Sequence, residues 1–282
     1  MNKTIFESYN DTKNKLKSFG VEDYVCEAKI IIKYVTNLSS AQILSNYTQK
    51  LTDYQQNLLT AIINQRKIRY PLQYITGVWS FFGRDFSVGP GVLIPRFDTE
   101  TLVDFCIEKL KGKKDKKVLD LCSGTGCIGI TVALETKAQT FCLEKYDEAL
   151  RYLKKNAEKL NSGVNIVKGD VLKGDCGGDK YDIIVSNPPY IDKADMSVLQ
   201  PEVTFEPETA LFGGDDGLDF YRAIVRNYRN SLKEDGILVF EIGAYQRESV
   251  ENILRENGFL NIGSKKDCSG FDRVVFGTPE KI

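Results

Sequence analysis

Apolar residues recur at three- and four-residue intervals through "VCEAKIIIKYV" (residues 25–35) and "LTDYQQNLLTAIINQRKI" (51–68), the pattern of helices that bury one face. "NLSSAQIL" adds a further short helix with a serine cap at its start. Gly20 is the only glycine before residue 71, and the first 70 residues are predicted to be helical. From Pro71 the pattern changes. "YITGVWSFFGRDFSVGPGVLIP" is rich in aromatics, carries closely spaced glycines, and predicts one or two hairpins. This places a helical domain at residues 1–72, a β-hairpin linker at 73–97 and a larger domain at 98–282.

Beyond Asp98 the two periodicities alternate. "DTETLVDFCIEKL" reads as a helix opened by Asp98, "KKVLDLC" as a strand and "TGCIGITVALET" as a helix. "QTFCLEK" (strand) and "DEALRYLKKNAEKL" (helix) follow, then the strands "VNIVKGD" and "YDIIVSN". The chain closes with a helix in "GLDFYRAIVRNYRNSL", a strand in "GILVFEIG", a helix in "QRESVENILREN" and a last strand in "FDRVVFG". Such alternation predicts an α/β fold with a doubly wound, mainly parallel sheet covered by helices on both faces. Ligands of such sheets sit at the carboxyl ends of the strands, where the strand order reverses.

Composition narrows the chemistry. The 282 residues contain no histidine, which excludes Ser-His and Cys-His nucleophiles and the commonest general base. Seven cysteines (Cys26, Cys106, Cys122, Cys127, Cys142, Cys176, Cys268) never fall in C-x-x-C spacing, so no metal site is expected and reduced, mostly buried thiols are. No apolar run approaches the ~20 residues of a membrane span, and the N-terminus lacks a secretory signal pattern; a cytoplasmic location without membrane contact is expected. The net charge of −1 gives no support to binding long nucleic acid by electrostatics. Residues 1–70 hold 10 Lys/Arg against 6 Asp/Glu, an excess that reads as a solvated helical surface.

Four stretches carry candidate chemistry. In "VLDLCSGTGCIGI" a buried strand ends in Asp120, then Gly124 and Gly126 let the backbone approach a ligand and turn into a helix. Asp120 would repel a pyrophosphate but suits the amino group of a cationic amino acid. Glu144 ends the next strand, 20 residues after Gly124, where an acid can accept the hydroxyls of a ribose. Asp170 and Val171 in "KGDV" could hold an exocyclic adenine amine and cover one ring face. Finally, "YDIIVSNPPYID" breaks a core strand with Asn187, Pro188, Pro189 and Tyr190. The Asn187 oxygen and the Pro188 carbonyl together can accept both hydrogens of a planar –NH2 group, with Tyr190 against its flat face.

In that order, "DLCSGTGCIGI", Glu144, "GDV" and "NPPYI" resemble the class I S-adenosylmethionine-dependent methyltransferases that act on planar nitrogens. "YPLQYITG", "VLIPRFDTETLV", "FEPETALFGGDDGLDFYR", "FEIGAYQ" and "DCSGFDRVV" are more specific, resembling the HemK/PrmC release-factor methyltransferases collinearly from about residue 66 onward. The resemblance implies a Rossmann-like sheet whose last strand is antiparallel. It implies methyl transfer from S-adenosyl-L-methionine, leaving S-adenosyl-L-homocysteine, to the glutamine amide nitrogen in the Gly-Gly-Gln loop of class-one peptide chain release factors. Cofactor binding would fall to Asp120, Cys122, Ser123, Gly124, Thr125, Gly126, Glu144, Asp170, Val171 and Asn187. Substrate binding would fall to Asn187, Pro188, Pro189 and Tyr190, with Asn187, Pro188 and Tyr190 catalytic, and the N-terminal helices would grip the partner protein. Three departures stand out: Phe97 where the family has proline, Cys122-Ser123 in place of Gly-Thr or Gly-Ser, and Glu144 in place of aspartate. A monomer without sequence-specific nucleic-acid binding is expected. The alternative is an adenine-N6 methyltransferase with the same clamp, which would have to extract its base from the stack and would want a basic groove.

Overall fold

Capped helices open the chain. In the computed structural model, which describes residues 2–175 and 179–280, Thr4 caps α1 (Ile5–Ser18), Ser39 caps α3 (Ser40–Ser45) and Thr52 caps α4 (Asp53–Lys67). Each cap is reciprocal: the hydroxyl accepts the backbone N–H three residues on, while Glu7, Gln42 or Gln55 reaches back to the cap's own N–H. With α2 (Tyr24–Thr36) and α5 (Leu72–Thr76) these helices bury Leu16, Ile31, Ile32, Leu59, Ile62 and Leu72 in one core. The first unit comprises residues 1–77 together with 200–205.

Arg66 departs from the expected solvated surface. It is fully buried, with Nε and Nη2 on the Glu27 carboxylate at 2.9 and 3.0 Å, Nη2 also 2.9 Å from Glu202, and Nη1 donating to the Tyr70 carbonyl at 2.6 Å. Arg69 grips the same Glu202 at 2.7 Å. Burial favours protonated Glu202, but the hydrogen bonds from Arg69 and Arg66 outweigh it and hold its carboxyl below the ordinary range.

The second unit, residues 78–199 and 206–282, begins with a single hairpin, β1 (Val78–Phe81) against β2 (Arg84–Ser87). A 3₁₀ turn over Phe97–Thr99 then leads into α6 (Glu100–Leu110), so Asp98 lies inside the turn and does not cap the helix as expected. The main sheet follows: β3 (Lys117–Leu121), α7 (Cys127–Thr136), β4 (Gln139–Glu144), α8 (Asp147–Lys159), β5 (Asn165–Lys168) and β6 (Tyr181–Ser186). Then come α9 (Asp219–Tyr228), β7 (Leu232–Glu241), α10 (Arg247–Glu256), β8 (Phe259–Lys266) and β9 (Asp272–Pro279). The seven strands lie in the order β5-β4-β3-β6-β7-β9-β8. Five are parallel, and β9 runs antiparallel to both β7 and β8, in accord with the expected fold. β8 was not anticipated. It is an edge strand that buries only Phe259 fully and carries Lys265 and Lys266, so no apolar alternation marks it.

Alternation along the strands sorts the core. Val118, Ile183, Val185 and Val239 face the side packed by α6, α7 and α8; Leu119, Leu121, Ile184, Leu238 and Phe240 face α9 and α10. Strand order reverses between β3 and β6, which pair with Leu121 opposite Ser186. The loops leaving these two strands therefore start side by side. Among the described residues, no helix is long and apolar enough to cross a membrane.

Candidate functional site

A cleft opens where those two loops diverge, enclosing about 960 Å³ with its mouth included. Of the residues singled out from sequence, Cys122, Ser123, Gly124, Thr125, Glu144, Asp170, Val171, Asn187 and Pro189 line it. Asp120, Gly126, Pro188 and Tyr190 are not part of its lining.

The glycine loop is held from below. Ser123 N–H donates to the Leu143 carbonyl at 3.1 Å and Gly126 N–H to the Ser123 carbonyl at 2.7 Å. Gly126 turns into α7 at φ +80°, and a side chain there would meet Leu153 and Ile130. Cys122 holds φ +59°, a left-handed conformation costly for a residue with a Cβ, which gives the family's usual glycine at this place a physical reason. Asn156 on α8, fully buried, accepts Ser87 N–H at 2.7 Å and donates to the carbonyls of Ser87 and Thr125 at 3.1 and 3.0 Å, tying hairpin, helix and loop together.

Asp120 is not in the cleft. Strand alternation turns it with Val118 toward α7, where Gly129, lacking a side chain, lets the carboxylate approach and donates its N–H to Oδ2 at 3.0 Å. Oδ1 has no partner among the described residues, and burial pushes the acid up to about 7. Glu144 lines the cleft, but its carboxylate also organises the loop: Oε2 accepts from Gly124 N–H at 2.9 Å, and Oε1 from Lys145 and Tyr146 N–H at 2.8 and 2.9 Å. Burial raises Asp170, but Lys145 and the Leu172 N–H outweigh it and hold its carboxyl below the ordinary range. Val171 is buried in the core beside it.

Asn187 leaves β6 on the α6 side of the sheet. Its Nδ2 donates to Thr99 Oγ1 at a long 3.4 Å, while no described residue donates to its Oδ1 or to the Pro188 carbonyl. The turn after it is braced: Gln246 Nε2 donates to the Tyr190 carbonyl at 2.9 Å, and Ile191 bridges to Phe212, with Ile191 N–H on the Leu211 carbonyl at 2.8 Å. The Tyr190 ring packs near Gly243, and burial holds its phenol protonated.

Several of these residues escaped the sequence reading. Thr99, Asn156 and Gln246 act through side-chain hydrogen bonds that leave no periodicity. The strap over residues 91–96 enters the cleft with Arg96 paired to buried Glu206, which also accepts Ile94 N–H at 2.9 Å. Phe97, by contrast, is 70% exposed and outside the lining, so its ring forms no part of the cleft wall. The buried thiols Cys106, Cys127 and Cys142 fit expectation; Cys26 and Cys268 are exposed, and Cys176 lies outside the described residues.

Two family models match: the PrmC N-terminal domain over residues 7–77 and the methyltransferase small domain over 95–204. A release factor glutamine methyltransferase of Clostridium acetobutylicum is 38% identical over 92% of this chain and 93% of its own. One of Geobacter sulfurreducens is 36% identical over 97% and 96%. Among solved structures, a methyltransferase from Pyrococcus furiosus aligns at a TM-score of 0.55 and 16% identity, covering 82% of this chain and all of that one. The hMettl16 catalytic domain, crystallised with the MAT2A 3′UTR hairpin 6, aligns at 0.57 and 16% identity, covering 82% and 83%. At such identities these two structures establish the fold alone.

Proposed function

The chain belongs to the release factor glutamine methyltransferase family, and from that premise we propose that it transfers a methyl group from S-adenosyl-L-methionine to the glutamine amide nitrogen in the Gly-Gly-Gln loop of class-one release factors. One observation supports the reading most: Asn187 Oδ1 and the Pro188 carbonyl, adjacent acceptors at the carboxyl end of β6, are both without a donor among the described residues. An amide –NH2 has two hydrogens to satisfy them.

The cleft suits the cofactor. Glu144 and Asp170 line it and offer carboxylates to a ligand with sulfonium and ammonium groups, with Arg96 and Lys145 beside them in the wall. Ile128, Leu143 and Val171 offer apolar wall for a flat base. Cys122, Ser123, Gly124, Thr125 and Gly126 would form the floor, and Glu144 would take a ribose hydroxyl with the Oε2 lone pair its backbone partners leave free. When bound, S-adenosyl-L-methionine supplies an electrophilic methyl and leaves as S-adenosyl-L-homocysteine.

The protein's own task is alignment, an effect that can reach about 7–11 kcal/mol. An amide nitrogen is a poor nucleophile because its lone pair is shared with the carbonyl. By accepting both N–H hydrogens, Asn187 and Pro188 favour a pyramidal nitrogen and the positive charge that develops on it. Tyr190, its backbone carbonyl held by Gln246, would lie against the amide plane. The methylated nitrogen is acidic until it loses a proton, so water can take that proton and no histidine is needed. The N-terminal helices would grip the release factor.

Mass spectrometry of a release factor incubated with enzyme and isotopically labelled cofactor tests the reading. The expected result is one added methyl on the glutamine of the Gly-Gly-Gln loop. Methylation of DNA or tRNA with the release factor left unmodified would overturn it.

A further inference from the structure

We infer that Gln246 fixes the backbone course of the Asn-Pro-Pro-Tyr turn, and with it the direction of the Pro188 carbonyl, which makes Gln246 a positioning residue for methyl transfer; the inference rests on the reading of Asn187 and Pro188 as acceptors of the substrate's amide hydrogens. Pro188 and Pro189 have no backbone N–H. Across these two residues the chain can therefore be anchored by hydrogen bonds only through its carbonyls, by donors from elsewhere. The Pro188 carbonyl must stay free for the substrate. The anchor has to act further along the turn.

Gln246 supplies it. Its Nε2 donates to the Tyr190 carbonyl at 2.9 Å and to the Gly217 carbonyl at 3.3 Å, while its Oε1 accepts Gly243 N–H at 3.0 Å. A backbone N–H only donates and a carbonyl only accepts, so these three partners leave the carboxamide a single orientation, independent of the ionisation of any neighbour. The side chain is itself pinned. Gln246 N–H donates to the Gly243 carbonyl at 3.0 Å, closing a tight turn between β7 and α10. Gly243 makes room for this, since a Cβ there would lie 3.0 Å from Oε1. Tyr221, fully buried on α9, donates its hydroxyl to the Glu241 carbonyl at 2.9 Å and lies 3.3 Å from the same Oε1.

The loop that carries Gly217 closes on the turn from the other side. Ile191 N–H donates to the Leu211 carbonyl at 2.8 Å, and the Ile191 carbonyl accepts Gly213 N–H at 2.9 Å. A Cβ on Gly213 would sit 2.7 Å from both the Pro189 oxygen and the Tyr190 Cα, and one on Gly217 would run into the Tyr190 oxygen. Glycine at these two positions lets backbone press directly on backbone. The stretches "FGGDDGLDFYR" and "FEIGAYQ" thus converge on the turn from different parts of the chain. Three constraints then act in series. The Pro189 ring fixes its own φ, the Pro189 carbonyl packs on Gly213, and Gln246 holds the Tyr190 carbonyl. Little torsional freedom is left between Pro188 and Tyr190, and the Pro188 carbonyl keeps one direction.

The test compares Gln246→Met and Gln246→Glu with the wild type in single-turnover methylation of a saturating release factor, at about pH 8.5, far above the usual glutamate range. Affinity for S-adenosyl-L-homocysteine is followed by calorimetry, and folding by circular dichroism. Methionine has a similar length and no donor; ionised glutamate keeps an acceptor for Gly243 N–H but loses both donors on the Tyr190 and Gly217 carbonyls. Each variant should slow transfer about 10-fold while leaving affinity for the cofactor product within about 2-fold. Tyr221→Phe disturbs the same network but keeps both donors, and should hold the rate within about 2-fold. In an Asn187→Ala background, Gln246→Met should add no more than about a 2-fold loss, because the two acceptors serve one amide and act as a unit. An unchanged rate in either Gln246 variant, or equal losses of rate and cofactor-product affinity, would overturn the inference while leaving the proposed function intact. So would a 10-fold loss in Tyr221→Phe, or the full 10-fold loss on top of Asn187→Ala. Should Gln246→Met not fold, Gln246→Glu decides by the same criteria. A wild type that methylates no release factor would instead overturn the reading beneath it.

Discussion

Asn187 and Glu144 both touch the cleft, yet they should fail differently when truncated. On the proposed function Asn187→Ala removes an oriented acceptor at the reacting nitrogen, so the methylation rate should fall ~100-fold or more while cofactor affinity stays within a few-fold, measured by single-turnover kinetics and calorimetry. Glu144→Ala should weaken cofactor binding first, because it strands the N–H groups of Gly124, Lys145 and Tyr146 as well as removing an acceptor from the wall. Equal losses of binding and rate in Asn187→Ala would contradict this division. Asp120 gives a third residue-scale prediction. Its folded value of about 7 lies above the ordinary 3.8, so the native state holds a proton that the unfolded chain has released. The group's contribution to stability therefore falls as pH rises from about 4 to about 7, by at most about 1.4 kcal/mol per pH unit, and is level above that window. Urea unfolding between pH 5 and 8 should show a shallower fall in Asp120→Asn than in the wild type, the remainder reflecting Glu241, which burial also pushes up to about 7. An unchanged slope would show that Asp120 is not the buried acid responsible. At this scale the sequence revealed which residues gather at the strand ends but not which way each faces. Asp120 looked like a ligand because strand ends line clefts; the two-residue period instead turns it under α7, where Gly129 makes room.

Elements were more legible than single contacts. Helices α2, α4, α7, α8, α9 and α10 announce themselves by apolar spacing, and β3, β4, β6 and β7 by apolar runs ending in Leu121, Glu144, Ser186 and Glu241. β8 and α5 did not, since an edge strand and a five-residue helix bury too little to impose a period. Asp98 carries the signature of a cap, an acid before an apolar run; here a 3₁₀ turn intervenes, and it places Thr99 within hydrogen-bond reach of Asn187. Arg66 was hidden for the opposite reason: one basic residue among several near the end of α4 looks like surface, and its burial depends on Glu27 and on Glu202, 136 residues away. Arg66→Ala leaves both carboxylates without their buried partner and should cost about 3–5 kcal/mol, read as a lowered unfolding midpoint. A loss below 1 kcal/mol would mean that the network is not a buried one in solution.

For the whole molecule, the division of labour follows from topology. The doubly wound sheet places its glycine loop and its Asn-Pro-Pro-Tyr turn at neighbouring strand ends, which brings residues of both to one cleft, where we propose that they serve as cofactor floor and amide clamp. Segment 200–205, downstream of that turn, belongs with the helical N-terminal unit through Glu202 and its two arginines. The fold itself is shared with proteins of different substrates, so the function rests on the clamp and on family membership rather than on the sheet. The most direct test of the clamp is a crystal structure of the enzyme with S-adenosyl-L-homocysteine and a release factor bound. The glutamine amide nitrogen is expected about 2.7–3.2 Å from both Asn187 Oδ1 and the Pro188 carbonyl. A substrate amide lodged elsewhere, or an Asn187 oxygen turned away to bond within its own turn, would contradict the account.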